Sequence, residues 1–120
     1  MFIKRFKDCV EITANDGCRL KELLHSDRDD VDLPYSLAYA RVEVGKGTLP
    51  HQLVAQDEVY TILSGRGIMH IGEESEEVGM GDTILIPAGA EQWIENTSEE
   101  ELVFTALVSP PWREEDDLLV

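Results

Sequence analysis

The sequence predicts an all-β domain, either a sandwich or a barrel. Three observations carry that prediction. Nine or ten short apolar or alternating runs follow one another at intervals of roughly 8–12 residues. Turns built from glycine, asparagine, aspartate and proline separate them. Two glycine-anchored patterns, 15 residues apart, occupy the middle of the chain.

The elements follow in order. Cys9–Thr13 alternates and ends at Asn15-Asp16-Gly17, a strong turn signal. Arg19–Leu24 suits a short helix or a strand. Ser26–Asp32 is an acidic loop closed by Pro34. Ser36–Val44 alternates small or apolar residues with Tyr39, Arg41 and Glu43, as a strand with one buried face does. Gly45-Lys46-Gly47 ends it. Glu58–Leu63 and Arg66–Ile71 read as paired strands around a two-residue turn, Ser64-Gly65. Gly72–Glu77 reads as an acidic turn. Thr83–Ile86 is a strand, Pro87-Ala88-Gly89 a turn, and Gln92–Asn96 another short strand. Leu102–Ser109 is an apolar β-rich run stopped by Pro110-Pro111, and Arg113–Val120 suits a short helix or a loose tail.

At 120 residues, 42% hydrophobic and 29% charged, the chain makes one domain spanning residues 1–120. Its formal charge of −15 repels nucleic-acid backbones and anionic membrane surfaces, so neither is expected as a partner. The acids cluster in predicted turns and in the tail, where the plain reading is solvated loop tips that maintain solubility. Apolar runs are too short to span a bilayer. The basic stretch Lys4-Arg5-Phe6-Lys7 has no apolar segment of the secretory type, and a cytoplasmic location is expected. Two cysteines, Cys9 and Cys18, make no disulfide framework; reduced thiols are expected rather than a local pair.

The two central patterns read Gly45-x5-His51-x-Leu53-x4-Glu58-x6-Gly65 and Gly81-x5-Pro87-x-Gly89-x2-Gln92-x3-Asn96. Together they resemble the two motifs of the cupin superfamily, G-x5-H-x-H-x3-4-E-x6-G and G-x5-P-x-G-x2-H-x3-N. Eight of the ten fixed positions match. The resemblance covers about Ser36 to Pro111, with its motif core at 45–96, and the layout looks like small single-domain microbial cupins of the mannose-6-phosphate-isomerase-like kind. It implies the cupin double-stranded β-helix, a jelly-roll barrel. The two positions that depart from the pattern are metal ligands in the family. Leu53 stands at one histidine position and Gln92 at another.

The resemblance implies a weakened site for a mononuclear divalent metal (Mn, Fe, Ni or Zn) on His51, Glu58 and Gln92. One imidazole and one carboxylate suit such ions, while an amide oxygen is a weak donor. Expected pocket residues are Tyr60, Met69 and Phe104. Alternation along the strands puts Tyr60, Ile62, Met69 and Ile71 on the inner face with Glu58, and turns His70 outward with Val59. His25, beside the acidic loop, reads as surface. Trp93 has the opposite parity to Gln92 and belongs on the outer face, where a large aromatic suggests a subunit contact and a homodimer. The function expected is binding of a small molecule, a sugar or organic acid, with metal-dependent isomerase or oxygenase chemistry possible at the site. The alternative is a non-catalytic, metal-free metabolite-binding cupin.

Overall fold

The computed structural model covers residues 1–120 and is built almost entirely from strands. In chain order these are β1 (Glu11–Thr13), β2 (Arg19–Leu24), β3 (Ser36–Val42), β4 (His51–Leu53), β5 (Asp57–Ser64), β6 (Arg66–Ile71), β7 (Glu74–Gly79), β8 (Thr83–Ile86), β9 (Gln92–Asn96), β10 (Leu102–Ser109) and β11 (Asp117–Leu119). Two short 3-10 turns, Phe6–Asp8 and Glu114–Asp116, complete the list, and no helix is long and apolar enough to cross a membrane. The strands form two antiparallel sheets. One has six strands in the order β1-β2-β3-β10-β5-β8, the other five in the order β11-β4-β9-β6-β7.

Their inner faces meet in a core of Ala40, Val42, Tyr60, Ile62, Met69, Ile86, Ile94, Leu102, Phe104 and Ala106, with Cys18 beside them. The alternation in sequence produces this layout. Along β5, Glu58, Tyr60 and Ile62 are buried while Val59 and Thr61 are half exposed. A jelly-roll barrel is the architecture that closes such sheets upon one another.

Four sequence expectations need correction. First, β5 and β6 do not form a hairpin. β5 pairs with β10 and β8, whereas β6 pairs with β7 and β9, so the chain changes sheets at Gly65. Gly65 has φ +82°, and a Cβ there would lie 2.6 Å from the Glu101 carbonyl oxygen, so the corner passes tight against the β10 approach. Inner and outer faces still alternate as expected: β5 turns its even-numbered residues inward, and the parity switches at the corner so that β6 buries Gly67 and Met69. Second, the stretch read as the acidic turn Gly72–Glu77 is mostly β7, an edge strand whose exposed Glu74, Glu76 and Glu77 discourage pairing with another chain. Third, the C-terminal segment is only in part the short helix expected: a 3-10 turn at Glu114–Asp116 leads into a strand rather than a loose tail. Its last strand, β11, pairs with β4 in the register Asp117↔Leu53 and Leu119↔His51. Fourth, His25 is 1% exposed. Its Nδ1 accepts from the Asp27 N–H at 3.1 Å, and its Nε2–H donates to the Trp112 carbonyl at 2.7 Å. An imidazole so satisfied joins the first loop to the C-terminal segment. Arg19–Leu24 resolves as strand.

The second motif's asparagine is a structural clamp. Asn96 is buried; its Nδ2 donates to the Val42 and Glu100 carbonyls, and its Oδ1 accepts from the Ser98 N–H and Oγ–H. One side chain thus satisfies the corner between β9 and β10.

Candidate functional site

The barrel encloses a cavity of about 590 Å³. His51, Leu53, Glu58, Tyr60 and Phe104 reach it from β4, β5 and β10, while Asp16, Cys18, Trp112 and Asp117 reach it from the β1–β2 turn and the C-terminal segment.

Glu58 sits on β5, buried to 7% exposure. Gln92, on β9 and 1% exposed, donates from Nε2 to Glu58 Oε1 at 2.8 Å and accepts at Oε1 from the Tyr60 hydroxyl at 3.0 Å. The result is a linear chain, Tyr60–Gln92–Glu58, that fixes one carboxylate oxygen and leaves Oε2 without a protein hydrogen bond. Burial pushes the Glu58 carboxyl up to about 7; the Gln92 hydrogen bond and the nearby His51 oppose this, and the negative charges of Asp16 and Asp117 add to it. The same burial raises the Tyr60 hydroxyl and the Cys18 thiol well above their ordinary ranges, so both stay protonated. Tyr60 is packed on Phe104, ring centroids 4.3 Å apart.

His51 opens β4 directly opposite Gln92. Its Nδ1–H donates to the Leu49 carbonyl at 2.9 Å, which leaves Nε2 as the ring atom without a hydrogen bond. The nearest acid to Nε2 is Asp16 Oδ2, at 3.7 Å. Asp16 is held in its turn by the Cys18 N–H, which donates to Oδ1, while the Asp16 carbonyl accepts from the Leu49 N–H at 2.7 Å. Asp117 accepts from Trp112 Nε1–H at 3.0 Å on Oδ2, and its buried Oδ1 has no partner. Burial raises the Asp117 carboxyl as well.

His51 and Glu58 therefore line the cavity, and Gln92 lies buried beside them, outside the lining but hydrogen-bonded to Glu58. Tyr60 and Phe104 line the cavity, whereas Met69 is buried in the core and lies outside the lining. His70 faces outward, stacked on Trp93 at 4.4 Å and hydrogen-bonded to Ser75 and Glu95. Asp16 and Asp117 were not singled out from the sequence as site residues. Asp16 lay inside a turn signal whose chemistry explained it, and Asp117 lay in a stretch with no strand signal.

The donor set does not suit a resident metal. Leu53 brings an alkyl side chain to the ligand position, and Gln92 has its amide oxygen occupied by Tyr60. No three His, Cys, Asp or Glu side chains are grouped to hold an ion. One imidazole and one carboxyl are too few good donors for a stable site.

An antiparallel jelly-roll with its polar residues gathered inside the barrel defines the class of protein. Residues 38–108 match the cupin domain family, and this chain belongs to it. It is 41% identical over 103 residues to an uncharacterized protein of Methanocaldococcus jannaschii, covering 86% of this chain and 82% of that one. It is 36% identical over 102 residues to an uncharacterized protein of Streptomyces coelicolor, covering 85% and 89%. Among solved structures it resembles Streptomyces Pac13, described as a nucleoside dehydratase, with TM-score 0.79, 17% identity, and coverage of 100% of this chain and 91% of that one. A Pac13 variant solved with uridine superposes with TM-score 0.80 at 18% identity and the same coverage. A predicted oxalate decarboxylase from Thermotoga maritima gives TM-score 0.78 at 22% identity, covering 91% and 99%. At these identities the structural likeness establishes the fold.

Proposed function

We propose that this protein binds a small polar metabolite in the barrel cavity and moves protons on it, with Glu58 as the acid–base group and His51 as the second proton site. One observation carries the reading: a buried carboxyl, held by a single hydrogen bond and pushed up to about 7, faces an enclosed cavity. General acid–base catalysis is most effective when the group titrates near the working pH. Dehydration and isomerisation of hydroxylated compounds both need this arrangement. In a dehydration, one group takes a proton from carbon while the other protonates the departing hydroxyl, which leaves as water. Pac13, a nucleoside dehydratase on the same barrel, supports the reading by analogy of fold. The metal-dependent version, an isomerase or oxygenase using His51, Glu58 and Gln92, has family membership in its favour, but the donor set favours proton transfer.

The test is a turnover screen of nucleosides, sugars and polyols with the full chain, followed by Glu58→Gln on whichever compound reacts. Gln is isosteric and cannot carry the proton. We expect kcat to fall on the order of 10²–10⁴-fold with KM little changed. Undiminished turnover in the variant removes Glu58 from the chemistry. Saturable binding without turnover favours the non-catalytic metabolite-binding alternative.

A further inference from the structure

We propose that the cavity takes a neutral or positively charged ligand rich in hydrogen-bond donors, and that it rejects carboxylates and phosphates. This rests on the reading of the cavity as a ligand site and narrows it to a substrate class. Six acids line the cavity: Asp8, Asp16, Glu22, Glu58, Glu114 and Asp117. Against them stand two fixed cations, and each already has a partner. Lys4 Nζ lies 3.1 Å from Asp29, and Arg28 lies 2.9 Å from Glu22. No unengaged lysine or arginine is left to receive an anion, and like charges in an enclosed space repel strongly.

The hydrogen-bonding inventory points the same way. The Tyr60 hydroxyl is directed at Gln92, Gln92 Nε2 at Glu58, Trp112 Nε1–H at Asp117, and the Cys18 N–H at Asp16. The Asn15 amide and the Thr13 and Ser36 hydroxyls also line the cavity, but the groups left open around His51 and Glu58 are mostly acceptors. His51 is 4% exposed, its Nδ1–H is engaged by Leu49, and its Nε2 has no hydrogen-bond donor. Asp16 Oδ2, 3.7 Å from Nε2, is an acceptor to which no protein group donates within hydrogen-bond distance. Glu58 Oε2 is free, and Asp117 Oδ1 is buried without a partner. Buried acceptors without partners are costly. A hydroxyl or ammonium group placed among them supplies the missing donors, whereas a carboxylate or phosphate adds further acceptors and negative charge. A sugar phosphate, which the mannose-6-phosphate-isomerase-like label would suggest, is accordingly a poor fit.

The experiment uses the ¹⁵N-labelled full chain and follows the His51 ring nitrogens by NMR, assigned with His51→Gln. The probes are propylammonium, 1-propanol, propionate and inorganic phosphate, titrated at constant ionic strength. Propylammonium is expected to shift the His51 signals saturably, at least about tenfold more tightly than propionate, with phosphate silent. Asp16→Asn with Asp117→Asn is expected to erase that preference. If the double variant does not fold, Asp117→Asn alone should reduce it. Propionate or phosphate binding as tightly as propylammonium overturns the charge assignment while leaving the cavity a ligand site. A preference that survives removal of the acids also overturns it. Silence from all four probes overturns both this inference and the ligand-binding reading.

Discussion

Glu58 is the residue on which the chemistry and the stability of this barrel meet. Its ordinary value is 4.5 and its folded value about 7. Between those values the native state holds a proton that the unfolded chain has released, so stability falls as pH rises through this window. Above it the ionised buried carboxylate costs on the order of 3 kcal/mol. Glu58→Gln removes the titration and keeps an acceptor for Gln92. The variant is expected to be more stable than the parent by about 1–3 kcal/mol at about pH 8, with the difference vanishing toward about pH 5. Urea unfolding at the two pH values measures this; equal stability at both would show that Glu58 does not titrate in this range. A residue whose removal stabilises the fold is characteristic of a functional site. The first motif shows its positions diverging in role. His51 and Glu58 keep polar side chains facing the cavity, while Leu53 has become part of an apolar wall.

At the scale of elements, the decisive feature is the corner at Gly65. The segment 58–71 looks like a hairpin because two alternating runs flank Ser64-Gly65. Yet β5 and β6 carry their alternating buried residues into different sheets. A local pattern specifies alternation but not the partner strand, since either neighbour satisfies the same backbone groups. The cost of error at the corner is steric. Gly65→Ala forces a side chain into a positive φ and to 2.6 Å from a carbonyl oxygen, whereas Gly72→Ala, at φ +60°, meets nothing within 4 Å. We expect Gly65→Ala to destabilise by roughly 2–3 kcal/mol or more and Gly72→Ala by about 1 kcal/mol. Chemical denaturation of the two variants ranks them, and similar losses would show that the corner is not tightly packed. β11 makes the complementary point. Its three residues carry no strand pattern of their own and take their conformation from pairing with β4, which brings Asp117 to the cavity.

Of the four sheet edges, the one at β1 gathers the most exposed apolar residues. β7 protects its side with exposed glutamates, but β1 ends the six-stranded sheet with Ile12 exposed, and Phe2, Ile3, Phe6 and Val10 stand exposed nearby. Phe6 packs edge-on against Tyr39 with Lys21 over its ring, so this segment is seated on the sheet rather than loose. An open edge beside exposed apolar residues calls for a cover. The expected cover is a second copy, and light scattering should return twice the 13.5 kDa chain mass. A mass of one chain at micromolar concentration would remove the dimer. Trp93 lies on the outer face of the other sheet, as its parity predicts, stacked on His70; the β1 edge is the contact put to the test.

Read by itself, the sequence determined an all-β sandwich or barrel, most of its strands, the alternation that faces Glu58 and Tyr60 inward, and the turn residues of both motifs; the jelly-roll came from the motifs' resemblance to a family. Strands, alternation and turns follow from side-chain period and backbone sterics, which are local. The tertiary structure alone decided where His51, Glu58 and Gln92 stand and what they touch. Tyr60 occupies the amide oxygen of Gln92, and Asp16 and Asp117 reach the cavity from segments 35 and 66 residues away from His51. Whether a glutamate serves as ligand or as acid depends on which distant groups share its low-dielectric surroundings, and that is settled only when the two sheets close.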